Sequence, residues 1–376
     1  MSFIFEVTED KRKTNIAGDM SNLYLTVKGY EGPCKKLVIP DEGNLEKVSE
    51  LAEPVDDISL KNQEDKLPVR VIGNHAFSSR KDLEEVVIPD SIHTVLGFAF
   101  HNCGKLRKIS LSDSIEEYLD GGTRQCESLT EIEAFLKRGK PFIIRRILED
   151  NDRRLTFRIH MSDGEALMVF PGFNYDFVEN TMARTIQFAI EGTGYAYREV
   201  VKSDQINFRE YDNLFSKVSA DDRGTAEMIA VARLLVPYEL SDDARSTYEN
   251  WLREKALKNL TRLVKNTNGA TGISGNASGS AGMLSGTLGT TAEYADSYPM
   301  GTFSEFMSNT EEHIDFYLKR ELLDKSDARE LAHIAADMGI TAIVSMLMDY
   351  AESDRYSQKD GDSNVTKDDN MLELDF

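Results

Sequence analysis

Cysteine is scarce in this chain: Cys34, Cys103 and Cys126 are the only three in 376 residues. An odd, sparse set excludes a disulfide-built scaffold. No window approaches 18 apolar residues, so the signature of a membrane-spanning helix is missing. Positive charge is short as well, with 44 Lys and Arg against 65 Asp and Glu and a formal net charge of −21. Nucleic-acid binding needs a clustered basic surface, so that class is not expected. The acidic excess reads first as solubility and self-repulsion. The opening Met1-Ser-Phe-Ile-Phe-Glu-Val-Thr-Glu-Asp-Lys11 has no basic segment leading into an apolar stretch and a small-residue cleavage site. The expected location is therefore a reducing cytoplasm, with no membrane contact.

Recognisable chemistry is sparse too. Of the six histidines (His75, His93, His101, His160, His313 and His333), no pair forms a His-Glu-x-x-His helix. All six read as structural. The glycine-rich stretch near residue 280 has no lysine, so it is no phosphate loop, and Gly-x-Ser-x-Gly does not occur in it. Asp360-Gly-Asp-Ser-Asn364 begins like a calcium loop, but Val365 and Met371 stand where glycine and glutamate are required. No metal and no cofactor is expected.

What is present is a strict period. Between Ile72 and Glu133, Ala76-Phe77 recurs as Ala99-Phe100, and Leu83 recurs as Leu106 and Leu129. Val86 becomes Ile109 and Ile132, Ile92 becomes Ile115, and Cys103 becomes Cys126, always 23 positions on. Apolar residues at fixed slots of a fixed period mark stacked coils that share one core. The two cysteines on one slot read as packing, not as nucleophiles. In Leu106-Arg-Lys-Ile-Ser-Leu111, Leu106, Ile109 and Leu111 should point inward, and Lys108 and Ser110 outward. The third unit is worn, with Gly122-Thr123 in place of Ala-Phe. Two further strands are expected before the repeats, at Asn22–Val27 and Lys36–Pro40, followed by an irregular acidic insertion from Asp41 to Lys66.

The pattern Ile72-Gly-x-x-Ala-Phe-x-x-x-x-x-Leu-x-x-Val-x-Ile-Pro89-x-x-Ile resembles the BspA-type leucine-rich repeat. It departs from that pattern at Arg80, in place of cysteine, and at Ser112, in place of proline. The resemblance implies a solenoid with an open sheet for binding. Farther on, Ala166-Leu-Met-Val-Phe-Pro-Gly172, Val178-Glu-Asn-Thr-x-Ala-Arg184 and Tyr211-Asp-x-Leu-Phe215 follow the array in an order that resembles leucine-rich-repeat proteins of Gram-positive anaerobes. That resemblance implies work beside MoxR-type AAA+ ATPases and von Willebrand A-like proteins. Leu331-Ala-His-Ile-Ala-Ala-Asp-Met-Gly-Ile-Thr-Ala-Ile-Val344 resembles one ankyrin repeat, with His333 in the slot that makes a structural hydrogen bond. A plain helical hairpin is the alternative.

Between these landmarks, Leu155–Met161 and Ala166–Phe170 read as a hairpin across Ser162-Asp-Gly-Glu165. Asp176–Glu191 suits a helix or a strand. Phe208–Val218, Thr225–Val236 and Ser241–Val264 read as helices, the last capped by Ser241 with Asp242 and Asp243 in its first turn. Helices are also expected at Glu311–Leu322, Ser326–Met338 and Ile340–Tyr350.

The expected fold is a multidomain α+β chain. A leucine-rich-repeat solenoid (1–135) precedes a mixed α/β domain with a mostly helical second half (136–265). A flexible linker (266–302), an ankyrin-like helical module (303–350) and an acidic tail (351–376) complete it. The expected function is non-catalytic: a scaffold that binds a protein partner. The candidate binding residues are the outward strand positions Glu85, Val87, Lys108, Ser110, Glu131 and Glu133. The rival is an enzyme with a site among Arg145, Arg146, Arg153, Arg154, His160, Glu179, Arg184 and Tyr197. Convergence of these residues in one concave pocket is the feature that would favour it.

Overall fold

The computed structural model describes residues 2–9, 23–44, 48–51, 66–180, 185–270 and 303–353. The expected linker beyond 270 and the tail beyond 353 lie outside them, as do 45–47 and 52–65 of the insertion. The chain divides into two compact units, Met1–Tyr248 and Glu249–Phe376.

The first unit opens with β1 (Phe3–Glu9), β2 (Leu23–Tyr30) and β3 (Lys36–Val38). The insertion is not wholly irregular, since it contributes β4 (Glu42–Asn44) and β5 (Val48–Leu51). The repeats follow as β6 (Lys66–Ile72), β7 (Glu85–Val87), β8 (Thr94–Val95), β9 (Lys108–Ser112), β10 (Glu117–Tyr118) and β11 (Glu131–Leu136). Then come α1 (Phe142–Asp150), β12 (Leu155–Met161) and β13 (Gly164–Phe170).

Each coil passes from one sheet to a second. The first sheet runs β10-β8-β6-β2-β1-β5, with β4 also on β6. The second runs β13-β12-β11-β9-β7-β3. From β3 to β12 the second sheet is parallel and in phase, through Lys36, Glu85, Lys108, Glu131 and Thr156. Successive coils stack strand on strand, so the next coil satisfies each coil's backbone groups.

The 23-residue period produces this core. Leu83, Leu106 and Leu129 are 1, 0 and 2% exposed, and Val86, Ile109 and Ile132 form a second buried column. Burying one such side chain is worth about 1.5–3 kcal/mol relative to leaving it exposed. Phe77 and Phe100 stack with centroids 5.3 Å apart. The thiols of Cys103 and Cys126 donate to the carbonyls of Phe77 and Phe100, each at 3.1 Å. Arg80, in the same slot one coil earlier, donates to the carbonyls of Tyr30 and Gly32, both at 2.7 Å. The side chain differs, but the job of holding the preceding coil is the same.

The turns repeat as faithfully as the strands. His75, Phe98 and Gly121 have φ of 55, 57 and 74°, and Ser79, Asn102 and Gln125 have 61, 59 and 62°. Both sets recur every 23 positions in the left-handed region, which β-carbon-bearing residues enter at a cost. Only the last unit relieves it with glycine, and there the reason is space: a Cβ on Gly121 would run into the Phe98 ring at 2.6 Å.

The wear in the third unit has a physical cause. Within the array, the amides of Phe98 and Phe100 donate to the carbonyls of Asp120 and Gly122 in the next coil. Gly121 and Thr123 have no next coil. Their amides donate instead to the Asp150 carboxylate, at 3.1 and 3.0 Å. Tyr118 reaches the same carboxylate at 2.9 Å, and its ring fills the space that a Cβ on Gly122 would occupy. Thr123 replaces phenylalanine because it bonds Asn151, at 2.9 Å, and not another ring. Arg146 donates to the Tyr118 carbonyl on the edge of β10, at 3.2 Å. Asp150 and Arg146 both belong to α1, a helix not anticipated from the sequence. It packs Ile143, Ile144, Ile147 and Leu148 against the last coil side of the core, all at most 1% exposed.

The second sheet runs on past residue 136. Leu155–Met161 pairs in parallel with β11, and β13 folds back on it as the expected hairpin. The remaining elements are β14 (Asn174–Asn180), β15 (Thr185–Glu191), α2 (Gly194–Arg198), α3 (Phe208–Asn213), α4 (Phe215–Asp221), α5 (Arg223–Leu235) and α6 (Asp242–Ala270). The ambiguous stretch around Asp176–Glu191 is an antiparallel hairpin, β14 with β15. The single helix expected over Phe208–Val218 breaks at Leu214 into α3 and α4. Tyr211 closes the sheet: its hydroxyl accepts from the Val169 amide at 2.9 Å and donates to the Val169 carbonyl at 2.7 Å. Edge-strand groups are thus paired by a side chain. Beside it, Arg233 grips the Asp212 carboxylate at 2.9 and 3.0 Å, and Tyr248 adds a third bond at 2.7 Å. The buried Arg198 guanidinium ties carbonyls of Leu148, Asn151, Arg153 and Gly194 together.

The second unit takes α6 from Glu249 onward. To it belong α7 (Phe303–Ser308), α8 (Thr310–Lys319), α9 (Lys325–Asp337) and α10 (Thr341–Glu352). Helix α6 continues to Ala270, beyond the expected Val264, and Ser241 caps it through the Ala244 amide at 3.2 Å. Asn309 caps α8 by accepting from the amides of Glu311 and Glu312. Gly339, with φ of 73°, turns the chain between α9 and α10. His333, read as the residue of a structural hydrogen bond, is exposed on α9. The buried histidine is His313, whose ring stacks beside Phe306 and Tyr317.

Candidate functional site

The outward face of the second sheet carries all six candidate residues. Strand alternation sends Ile109 and Leu111 inward and leaves Lys108 and Ser110 outward, and in-phase pairing aligns each position with its neighbours. One row reads Lys36, Glu85, Lys108, Glu131 and Thr156. The next reads Val38, Val87, Ser110, Glu133 and Arg158. A third joins Phe135 to His160. Rows of this kind place side chains about 4.8 Å apart. Glu85, Val87, Lys108, Ser110, Glu131 and Glu133 are all half-buried.

The face is electrostatically ordered. Lys36 lies 3.1 Å from Glu85, and Lys108 lies 2.9 Å from Glu133. Glu133 also accepts from Ser110 at 2.9 Å and meets His160 Nε2 at 3.3 Å. The contact with His160, with help from Lys108 and Ser110, holds the Glu133 carboxyl well below the usual carboxylate range despite its partial burial. His160 stacks on Phe135 at 4.5 Å, and its Nδ1 lies 3.7 Å from Glu165. Arg158 pairs with Glu165 at 3.3 Å. Cations and carboxylates therefore alternate here, although the whole chain carries −21.

Sequence reasoning did not place Phe135, Arg158, His160 and Glu165 on this face. The β11-to-β12 spacing is 25, not 23, because α1 replaces the first-sheet strand of that coil. The Ile143, Ile144, Ile147 and Leu148 pattern was the available signal for that helix.

The residues named for an enzyme do not converge. Arg153 and Arg154 line a cleft of about 600 Å³, together with Asp152, Phe173, Glu191, Asp222 and Thr225. Arg145 and Arg146 pair with Glu149 on α1. His160 lies on the sheet face, and Tyr197 is buried against Tyr211 at 4.9 Å between ring centroids. The Glu179 side chain and Arg184 lie outside what is described. Among the described residues, no group of three or more His, Cys, Asp or Glu could hold a metal ion. No helix among them is long and apolar enough to cross a membrane.

Three solved structures are similar. A leucine-rich repeat protein from Bacteroides ovatus is 22% identical with a TM-score of 0.23, over 34% of this chain and 30% of that one. A leucine rich cell surface protein from Faecalibacterium prausnitzii is 23% identical with a TM-score of 0.22, over 30% and 28%. A leucine-rich repeat protein from Bacteroides capillosus is 22% identical with a TM-score of 0.24, over 29% and 70%. The chain spans less than a third of the length of the first two. No curated protein matches it. The family model for a BspA type leucine rich repeat region (6 copies) matches residues 56–137, a stretch with room for between three and four coils of this chain. The repeat architecture and that match agree, and residues 56–137 are a BspA-type leucine-rich-repeat region.

Proposed function

We propose that this protein binds another protein through the outward face of its second sheet, centred on Glu85, Val87, Lys108, Ser110, Glu131 and Glu133. One observation carries the reading: in a run of five in-phase parallel strands, the middle three present these residues as a half-exposed, charge-alternating surface. Repeat arrays use such extended surfaces for binding. Near-balance of charge favours a partner matched in pattern over one that is simply basic. In the finer form of the proposal the protein is a cytoplasmic scaffold, its partners are of MoxR-type AAA+ and von Willebrand A-like kind, and the helices of 303–350 act as a second, ankyrin-like contact. A tethered second contact would raise effective concentration.

The test compares proteins co-purified from native cells with the wild type and with a Val87→Arg/Ser110→Arg double variant of unchanged melting temperature. A partner retained by the wild type and lost by the variant supports the face. An identical set of partners from both contradicts it. The enzyme reading has a separate test: a turnover lost on Arg154→Ala, with the face variant still active, would move function to the cleft.

A further inference from the structure

The second sheet ends differently at its two edges. At the far end, Tyr211 occupies the backbone of Val169 on β13. The first sheet continues past β2 into β1 and β5. At the near end of the second sheet stands β3, only Lys36–Val38, and no described strand pairs with its outer side.

The direction of each backbone group on β3 follows from its pairing. The Lys35 carbonyl accepts from the Glu85 amide at 2.9 Å, and the Ile39 amide donates to the Val87 carbonyl at 3.0 Å. Lys35, Leu37 and Ile39 therefore turn their backbone groups toward β7. Lys36 and Val38 turn theirs the other way. Among the described residues, the partner of these outward groups is the Cys34 thiol, which donates to the Lys36 carbonyl at 3.1 Å. Val38 is 55% exposed, the highest value among the exposed large hydrophobic residues described. The side chains of Lys35 and Lys36 are 81 and 62% exposed.

We propose that the outer edge of β3 is a strand-addition site for an extended partner segment with an acidic-apolar-apolar pattern. The register of the sheet supplies the pattern. Opposite Lys36 the sheet already places Glu85, beside the buried Leu37 it places Val86, and beside Val38 it places Val87. A strand added on the other side meets the same three environments: a cation, a core-facing slot and an exposed β-branched residue. Main-chain bonds would hold it, and the side chains would select it. A second copy of β3 fits poorly, because two-fold pairing is antiparallel and sets Lys36 opposite Val38, which offers the lysine no carboxylate. The site rests on the edge backbone and on Lys36 and Val38, and on none of the six residues at the centre of the face proposed above, so it stands or falls separately from that face.

The probe is a fluorescein-labelled, end-capped peptide, Leu-Glu-Glu-Val-Val-Ile-Pro, added to the full chain. A Lys-for-Glu version serves as its charge-reversed control. The expected result is anisotropy-detected binding of the glutamate peptide, with slowed amide exchange confined to residues 34–39. Val38→Pro deletes one outward donor while sparing the bonds to β7, and binding should fall at least five-fold. A Lys35→Glu/Lys36→Glu variant should reverse the peptide preference by about five-fold, which decides the matter even if the proline variant fails to fold. Three outcomes would overturn the proposal: no binding, binding untouched by both variants, or a concentration-dependent dimer that Val38→Pro abolishes.

Discussion

The Asp150 carboxylate accepts the Thr123 amide at 3.0 Å, in the place where another coil would have offered a carbonyl. The same carboxylate takes Gly121 and Tyr118. The solenoid ends here because α1 supplies side-chain acceptors in place of a further strand.

Removing that carboxylate should unravel the last coil first. Asp150→Ala orphans buried donors that each cost about 1–3 kcal/mol to leave unpaired. The expected loss is about 3 kcal/mol, seen as a lower urea midpoint at unchanged slope. Exchange should accelerate earliest at the amides of Gly121 and Thr123.

Restoring the repeat pattern at Gly122 should harm the protein. Alanine stands in that slot at Ala76 and Ala99, yet a Cβ at Gly122 would overlap the Tyr118 hydroxyl and ring. Gly122→Ala should cost about 1–3 kcal/mol by overpacking. Calorimetry should show most of that cost gone when Gly122→Ala is made in a Tyr118→Ala background, because the tyrosine hydroxyl and the ring carbon that bears it are the nearest obstacles. Full cost in both would mean the backbone, not Tyr118, sets the limit.

The buried Asp212–Arg233 pair should behave asymmetrically. Arg233 is 0% exposed and Asp212 is 4% exposed at their side chains. Losing one partner strands the other's charge, at about 3–5 kcal/mol. Arg233→Met or Asp212→Asn alone should be severe, and an Asp212→Leu/Arg233→Met pair milder than the sum. A double-mutant cycle measures the difference.

Acid should weaken the array within a definite window. Arg138 donates to Asp90 at 3.0 and 3.1 Å, and this contact lowers the Asp90 carboxyl to about 2. Its folded value lies below the unfolded one, about 3.9. Its contribution is therefore complete above about pH 4 and is lost as the pH falls toward 2. Solvent screening keeps the contribution small, since Asp90 is 35% exposed at its side chain. Melting temperatures of wild type and Asp90→Asn, followed from pH 6 to pH 2, should converge at the acid end. Parallel curves would count against the Arg138 contact.

The repeat core was legible because a period of 23 is a strong constraint. Leu83, Leu106 and Leu129 could only stack, and strand alternation then placed all six candidate residues outward. Legibility failed where a coil was built from unlike parts. With α1 in place of a strand, the spacing to β12 changed, so the period does not reach Arg158, and His160, named only among the polar residues of the rival site, is a neighbour of Glu133. Arg198 was invisible because backbone carbonyls leave no sequence signal for their partner. His333 shows the reverse case: a residue singled out for its place in a familiar pattern stands exposed on α9.

Continuity of the second sheet is the premise of the binding face, since only an unbroken sheet puts Glu133 and Arg158 side by side. Pyrene labels on a Glu133→Cys/Arg158→Cys variant, with Cys34→Ser and the buried Cys103 and Cys126 retained, read that directly. The account predicts strong excimer emission that is independent of protein dilution. Monomer emission alone, matching the sum of the two singly labelled proteins, would contradict it.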